Sequence, residues 1–261
     1  MSGYSVRGLN WFNALSAGAV VVEGLPASLR VADGELGRFI AVVSDPDNRF
    51  PRARNGEVGL LEGWGLAKAV DDVITADRDK AQKRPIIAIV DVPSQAYGRR
   101  EEALGIHQAL AGAADSYARA RLAGHPVIAL LVGKAMSGAF LAHGYQANRL
   151  IALRDPGVMV HAMGKASAAR VTLRSVEELE ALAASVPPMA YDIDSYASLG
   201  LLWETFSVQQ IEQPTAEDLT RVTECLKQAI DDISGTDLRK RLGAKNREAS
   251  SRVRELLRAQ W

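Results

Sequence analysis

One cysteine in 261 residues, Cys225, excludes an internal disulfide and any site built on several thiolates. It falls in LTRVTECLKQAI, an amphipathic helical pattern in which a thiol packs as a small apolar group. Net charge is absent too: 31 basic side chains against 31 acidic ones call for no nucleic acid and no membrane surface as partner. No apolar stretch approaches the roughly 18–20 residues of a membrane span. The segment MSGYSVRGLNWFNALSAG has no basic stretch followed by an apolar core, so a secretory signal is not expected and a cytoplasmic protein is. Also missing are G-x-x-x-x-G-K-[ST], a G-x-G-x-x-G after a strand, and H-E-x-x-H, and with them the common nucleotide and zinc-hydrolase sites; no metal is expected.

What is present is an alternation of patterns. AGAVVVEG, ASLRVADG and LGRFIAVVSD are Val- and Ile-rich runs between Gly and Pro signals, hence strands. Apolar residues at helical spacing predict a long helix over about 57–82, and glycines 59, 63 and 65 within it predict close packing on a neighbour. PIIAIVDV and HPVIALLVG are continuous apolar strands of the kind buried on both faces. Between them EEALGIHQALAGAADSYARARLAG reads as one helix. SGAFLAHGYQA then reads as a short helix, and NRLIALRD and GVMVHAMG as strands. SVEELEALAAS and TAEDLTRVTECLKQAIDDI read as capped helices, and PPMAYDIDSYASLGLLWETF as irregular. Strand–helix alternation with continuous apolar strands predicts an α/β fold with parallel pairing. The tail, 236–261, reads as a helix with a basic face, packed on the body or offered to an acidic partner such as a carrier protein.

Two strand-to-helix junctions are candidate sites, because ligands of open α/β sheets bind at the carboxyl ends of strands. One is VDVPSQAYGRREEALG; its pair Glu101–Glu102 opens a helix, where acids favour the positive end of the dipole. The other is VGKAMSGAFLAHG. Gly138 and Ala139 follow its turn, and backbone N–H groups at a helix start suit a developing oxyanion. Ser137 lacks the G-x-S-x-G frame of a nucleophile, so an N-cap role is favoured over a hydrolase pairing with His161. His161, on the short apolar run VMVHAMG, and His143 are read first as packing residues.

Together these junctions resemble the carboxyltransferase branch of the crotonase superfamily. In that branch a strand ends in D-x-P. A loop with a glycine and an acidic pair follows, then a long helix, a strand, and a Gly-rich turn opening a short helix. The corresponding residues are Asp91, Pro93, Gly98, Glu101, Glu102, Gly105, Gly133, Ser137 and Gly138. The stretch YASLGLLWETF is similar to the segment where those proteins carry a small helix, a glycine and a strand. The resemblance spans about residues 15–235, and ARNGEVGLLEGWGLAKAV and GKAMSGAF are most similar to gamma subunits of biotin-independent malonate decarboxylases. Lys134, Ala135 and Met136 stand where carboxyltransferases carry glycines, and Ala139 replaces another; added side chains there would narrow the site and favour a small acyl group over biotin.

The resemblance implies a crotonase-like ββα spiral over 1–235 with flanking helices, followed by the basic C-terminal helix over 236–261. It implies a homologous beta subunit, an acyl carrier subunit and an acyl-transferase subunit as partners. No cofactor would be held by this chain; the substrate would be a malonyl thioester on the carrier's phosphopantetheine-type, dephospho-CoA-derived prosthetic group, released as acetyl thioester and carbon dioxide. Gly138, Ala139 and Ser137 are the expected catalytic positions. Gln95, Tyr97, Gly98, Met136 and His161 are the expected substrate-lining ones. A biotin-dependent carboxyltransferase subunit and a non-catalytic structural partner are the alternatives.

Overall fold

The computed structural model describes residues 4–235, 238, 241 and 244–261. Eight strands form one mixed sheet: β1 (Val20–Val21), β2 (Leu29–Gly34), β3 (Gly37–Val42), β4 (Ile86–Val92), β5 (Val127–Met136), β6 (Arg149–Leu153), β7 (Met159–His161) and β8 (Glu204–Phe206). Their order is β1-β2-β3-β4-β5-β6-β8, with β7 pairing β5. β1, β2 and β3 pair antiparallel, and every later pairing is parallel. β3, β4 and β6 are buried along their whole length, which is why they read as unbroken apolar runs.

Ten helices surround the sheet: α1 (Arg7–Leu15), α2 (Leu60–Ala76), α3 (Arg99–Ala103), α4 (Ile106–Leu122), α5 (Ser137–Ala142), α6 (Lys165–Val171), α7 (Val176–Ala183), α8 (Ile193–Ser198), α9 (Ala216–Asp231) and α10 (Glu248–Gln260), counted among the described residues. α2 is shorter than the expected 57–82. Its glycines set two contacts: a Cβ on Gly63 would sit 2.7 Å from the Ala109 carbonyl of α4, and one on Gly65 2.5 Å from Leu29 Cδ1 of β2. The single helix expected after Glu101 is two. Gly105 adopts φ +83°, ends α3 and starts α4 at a new angle. α7 and α9 carry the expected caps: Ser175 accepts from Glu178 N–H and Thr215 from Asp218 N–H, both at 3.1 Å. The irregular segment resolves into α8, Gly200 at φ +72° and β8. Cys225 is buried in the main core.

Two expectations change. β5 does not end where its apolar run ends. Its first half pairs with β4 and β6, and Lys134–Met136 then continue in register with Met159–His161 of β7. The apparent break is an irregularity opposite Asp91, where the carboxylate takes the place of a ladder partner and accepts the Lys134 N–H at 3.1 Å. α10 forms, but it does not pack on the body: none of its residues is buried, and Val253, Leu256 and Leu257 are exposed, as is Trp261 beyond its end. Among the described residues no helix is long and apolar enough to cross a membrane.

Candidate functional site

The turn from β5 into α5 is positioned by Asp91. Its Oδ1 holds Lys134 N–H, while Oδ2 accepts from Gly8 N–H (3.1 Å) and from the Ser5 hydroxyl, so one buried carboxylate ties β4, β5 and the start of α1 together. Gly133 is required by that approach, since a Cβ there would lie 2.0 Å from Asp91 Oδ1.

Ser137 follows Met136 with φ +58°, a left-handed conformation that costs a residue with a Cβ about 1–2 kcal/mol. It is the first residue of α5, not its cap; no side chain caps α5. Ser137 makes no hydrogen bond to a histidine among the described residues. The cap reading of Ser137 therefore fails on geometry: it is the first helical residue, held in a left-handed conformation. The strained backbone turns the next N–H toward Gln95: Gly138 N–H donates to Gln95 Oε1 at 2.9 Å. That oxygen is an amide carbonyl, so the donor is occupied by a carbonyl-type acceptor from within the chain. The Gln95 backbone is itself pinned, with Val58 N–H donating to Ser94 O (3.1 Å) and Ala96 N–H donating to Val58 O (2.8 Å).

Beside this donor lies a cavity of about 580 Å³. Ser137 and Gly138 form one wall, Val160 and His161 of β7 the next, and α6, α7 and the Pro187–Pro188–Met189 turn cover it with apolar side chains. His161 is half-buried, stacked on Tyr191 with ring centroids 3.9 Å apart and planes 12° from parallel. Its Nδ1 lies 3.0 Å from Met163 O and 3.2 Å from Met163 N. Burial lowers its pKa below the ordinary 6.5, against the opposing pull of the Met163 carbonyl. His143 is core packing, as expected: fully buried, with Nδ1 3.0 Å from Tyr117 Oη and Nε2 3.0 Å from Ile89 O, and burial pushes its pKa down to about 4.

Of the expected residues, Ser137, Gly138 and His161 meet at the cavity, and Gln95 is joined to it only through the Gly138 N–H. Ala139 is fully buried one residue further into α5. Met136 lies beneath the cavity, in an apolar cluster with Ala168, Ala169, Leu179 and Tyr191. Tyr97 is exposed, and Gly98 starts α3, closed in by Arg52 and Glu101. Ala135 and Met136 are buried in the β5–β7 ladder, Lys134 is exposed, and none of the three lines the cavity. The steric argument from these residues against biotin therefore does not hold. Tyr191, which orders His161, carried no local signal in the sequence: its ring meets the histidine only through the fold. Among the described residues, no three His, Cys, Asp or Glu side chains gather as a metal-ligand set.

The family model for the malonate decarboxylase gamma subunit, MdcE, matches residues 53–261. The chain is similar to a chain of a Pseudomonas malonate decarboxylase hetero-tetramer crystallised with coenzyme A: 74% identity over 98% of this chain and 99% of that one, TM-score 0.93. A Pseudomonas MdcD–MdcE hetero-dimer gives 70% identity over the same shares, TM-score 0.90. The malonyl-S-ACP:biotin-protein carboxyltransferase MADD of Malonomonas rubra is 36% identical over 191 residues, 72% of this chain. The chain spans 64% of the length of that curated relative. In fold alone it resembles transcarboxylase 12S, at 19% identity over 89% of this chain and 43% of that one, TM-score 0.63. The α/β sheet with its flanking helices is thus the crotonase-like carboxyltransferase fold. A turn tied by Asp91, an N–H donor beside an apolar cavity and this set of relatives converge: the chain belongs to the malonate decarboxylase gamma-subunit family.

Proposed function

We propose that this chain, paired with a homologous beta subunit, decarboxylates a malonyl thioester presented on an acyl carrier subunit, with an acyl-transferase subunit charging the carrier. The observation that carries the reading is the Gly138 N–H, already bound to a carbonyl-type oxygen at 2.9 Å and bordering the apolar cavity. Substrate displaces the Gln95 amide from this donor. Cleavage of the bond to the carboxylate sends its electron pair toward the thioester oxygen as an enolate. A fixed N–H strengthens its bond as that charge grows and needs no reorganisation. Ala139 N–H is the second donor in this scheme. The apolar walls keep the effective dielectric low, so each donor counts for more than it would in water. In this reading Tyr97 and Gly98 meet the prosthetic arm, which brings its own thioester chemistry from the carrier and is substrate, not a resident group.

Gly138→Pro removes the donor, but it also disfavours the left-handed Ser137 before it, so its loss of turnover is read only in a variant that assembles and melts like the parent. Gly138→Ala keeps the N–H, and its Cβ meets Gln95 Oε1 only at 3.4 Å and Leu110 Cδ1 at 3.5 Å. In the assembled complex the proline variant should lose about 100-fold or more in carbon dioxide release, and the alanine variant little. Equal turnover in both would dismiss the donor and leave a structural partner of the beta subunit.

The likeness to a malonyl-S-ACP:biotin-protein carboxyltransferase supports a second reading, transfer of the carboxyl group to a biotin carrier. Decarboxylation by a complex stripped of biotinylated protein decides between them.

A further inference from the structure

Decarboxylation leaves a carbon that must gain a proton, and the oxyanion donors supply none. We propose that His161 is the proton donor, delivering its Nε2 proton to the carbon that loses the carboxylate; this rests on the function proposed above. Three observations place it there. His161 is the register partner of Met136, the residue before Ser137, so imidazole and Gly138 donor border one cavity. Among the described residues Nε2 has no hydrogen-bond partner. Met163 offers Nδ1 both its carbonyl at 3.0 Å and its N–H at 3.2 Å.

The third is the telling one. A buried histidine held by a single acceptor loses its anchor when its tautomer changes. Here Nδ1 donates to Met163 O when it carries hydrogen and accepts from Met163 N–H when it does not. The ring keeps one orientation through every protonation state. Tyr191 reinforces this by stacking on the imidazole and donating its hydroxyl to the same Met163 carbonyl at 2.9 Å. A residue that only filled space would not need an anchor indifferent to its proton.

Charging follows from the substrate. Burial favours the neutral imidazole in the empty cavity. A malonyl carboxylate entering the same cavity favours the imidazolium. The ionisable groups on the elements packed around it are Lys134, Lys165, Glu180, Tyr191 and Asp192, with Tyr145 and Tyr196 on the cavity's other walls; Lys165 is paired with Glu180 at 2.6 Å and so adds little net charge. When the carbon–carbon bond breaks, carbon dioxide leaves and the electron pair stays on the enolate. The Nε2–H bond then breaks, its proton forms the new C–H bond, and neutral His161 keeps Nδ1–H on Met163 O. Solvent returns the proton.

The test uses the assembled complex in deuterium oxide. Proton delivery run backwards exchanges the methyl hydrogens of the acetyl thioester, a readout that substrate positioning alone does not produce. His161→Gln should lower both carbon dioxide release and methyl exchange by about 100-fold or more, with KM changed far less. Should that variant not assemble, the wild-type complex suffices. Exchange requires neutral His161 and so rises with pH to a plateau, while turnover requires the imidazolium and falls. Methyl exchange at the wild-type rate in His161→Gln, or exchange in the wild type that is flat with pH, overturns the assignment. If that variant decarboxylates normally while Gly138→Pro does not, only the proton donor is wrong; if both decarboxylate normally, the Gly138 donor fails as well and this chain is left as a structural partner of the beta subunit.

Discussion

Gly133→Ala places a methyl group where the Asp91 carboxylate stands. The new Cβ would lie 2.0 Å from Oδ1 and 2.5 Å from Cγ. Non-bonded carbon and oxygen need about 3.5 Å, so the carboxylate must retreat by more than about 1 Å. It then loses at least the Lys134 N–H bond, and beyond it lie the bonds to Gly8 N–H and the Ser5 hydroxyl. A hydrogen bond to a charged acceptor contributes about 1.5–3 kcal/mol, and overpacking a filled site costs about 1–3 kcal/mol. The sum is roughly 3–5 kcal/mol, which lowers Tm by on the order of 10 °C in a domain of this size. Asp91→Ala loses the same bonds but opens space for the methyl group. The double variant should therefore be less destabilised than the two singles added, by about 1–3 kcal/mol. Calorimetry or urea unfolding of all three measures this coupling. A Gly133→Ala protein that melts within about 2 °C of the parent, or strict additivity, refutes the account of the turn.

Three further outcomes follow from the fold and the turn. Folded His143 stays neutral to about pH 4, whereas the unfolded chain takes up its proton near 6.5. Its contribution is therefore complete above pH 6.5 and declines as pH falls, reaching about 3 kcal/mol of lost stability at pH 4. Subtracting urea curves of His143→Gln from those of the parent at pH 7.5 and 4.5 isolates that slope; parallel pH dependence in both proteins contradicts it. Ser137→Gly should raise Tm by about 2–4 °C by relieving the left-handed backbone. Ser137→Ala should keep most turnover, and mass spectrometry should find no acyl-enzyme in the parent; a trapped ester on Ser137 restores the hydrolase reading.

The strands were legible because burial on both faces leaves an apolar run with no alternation to confuse it, as in β4 and β6. α7 and α9 were legible because a cap and its third-position acid are local chemistry. The last three residues of β5 were not, because their partner is β7, more than twenty residues on, and GKAM carries no strand signal of its own. Ser137 misled for a related reason. Serine before a helix is the usual cap, and only the backbone conformation reveals that it has turned left-handed inside the first turn. α1 carries a weak local signal: Trp11, Phe12 and Leu15 keep helical spacing, but Gly8, Asn10 and Asn13 around them soften it. In the site, Gly138 was reachable from local sequence. The Gln95 amide on its N–H and the Met163–His161–Tyr191 arrangement are tertiary, assembled from segments that share no periodicity.

The switch of β5 from β6 to β7 divides the site into two materials. Donor turn and imidazole stand on neighbouring strands of one ladder, joined from Lys134 to His161, and so move only as the sheet moves. The cover over them, α6, α7 and the proline turn, forms none of the sheet. Selectivity for the acyl group can therefore be rebuilt in that cover by exchange of whole segments, while the chemistry keeps its spacing. In an engineering sense the site is a fixed tool with a replaceable jaw.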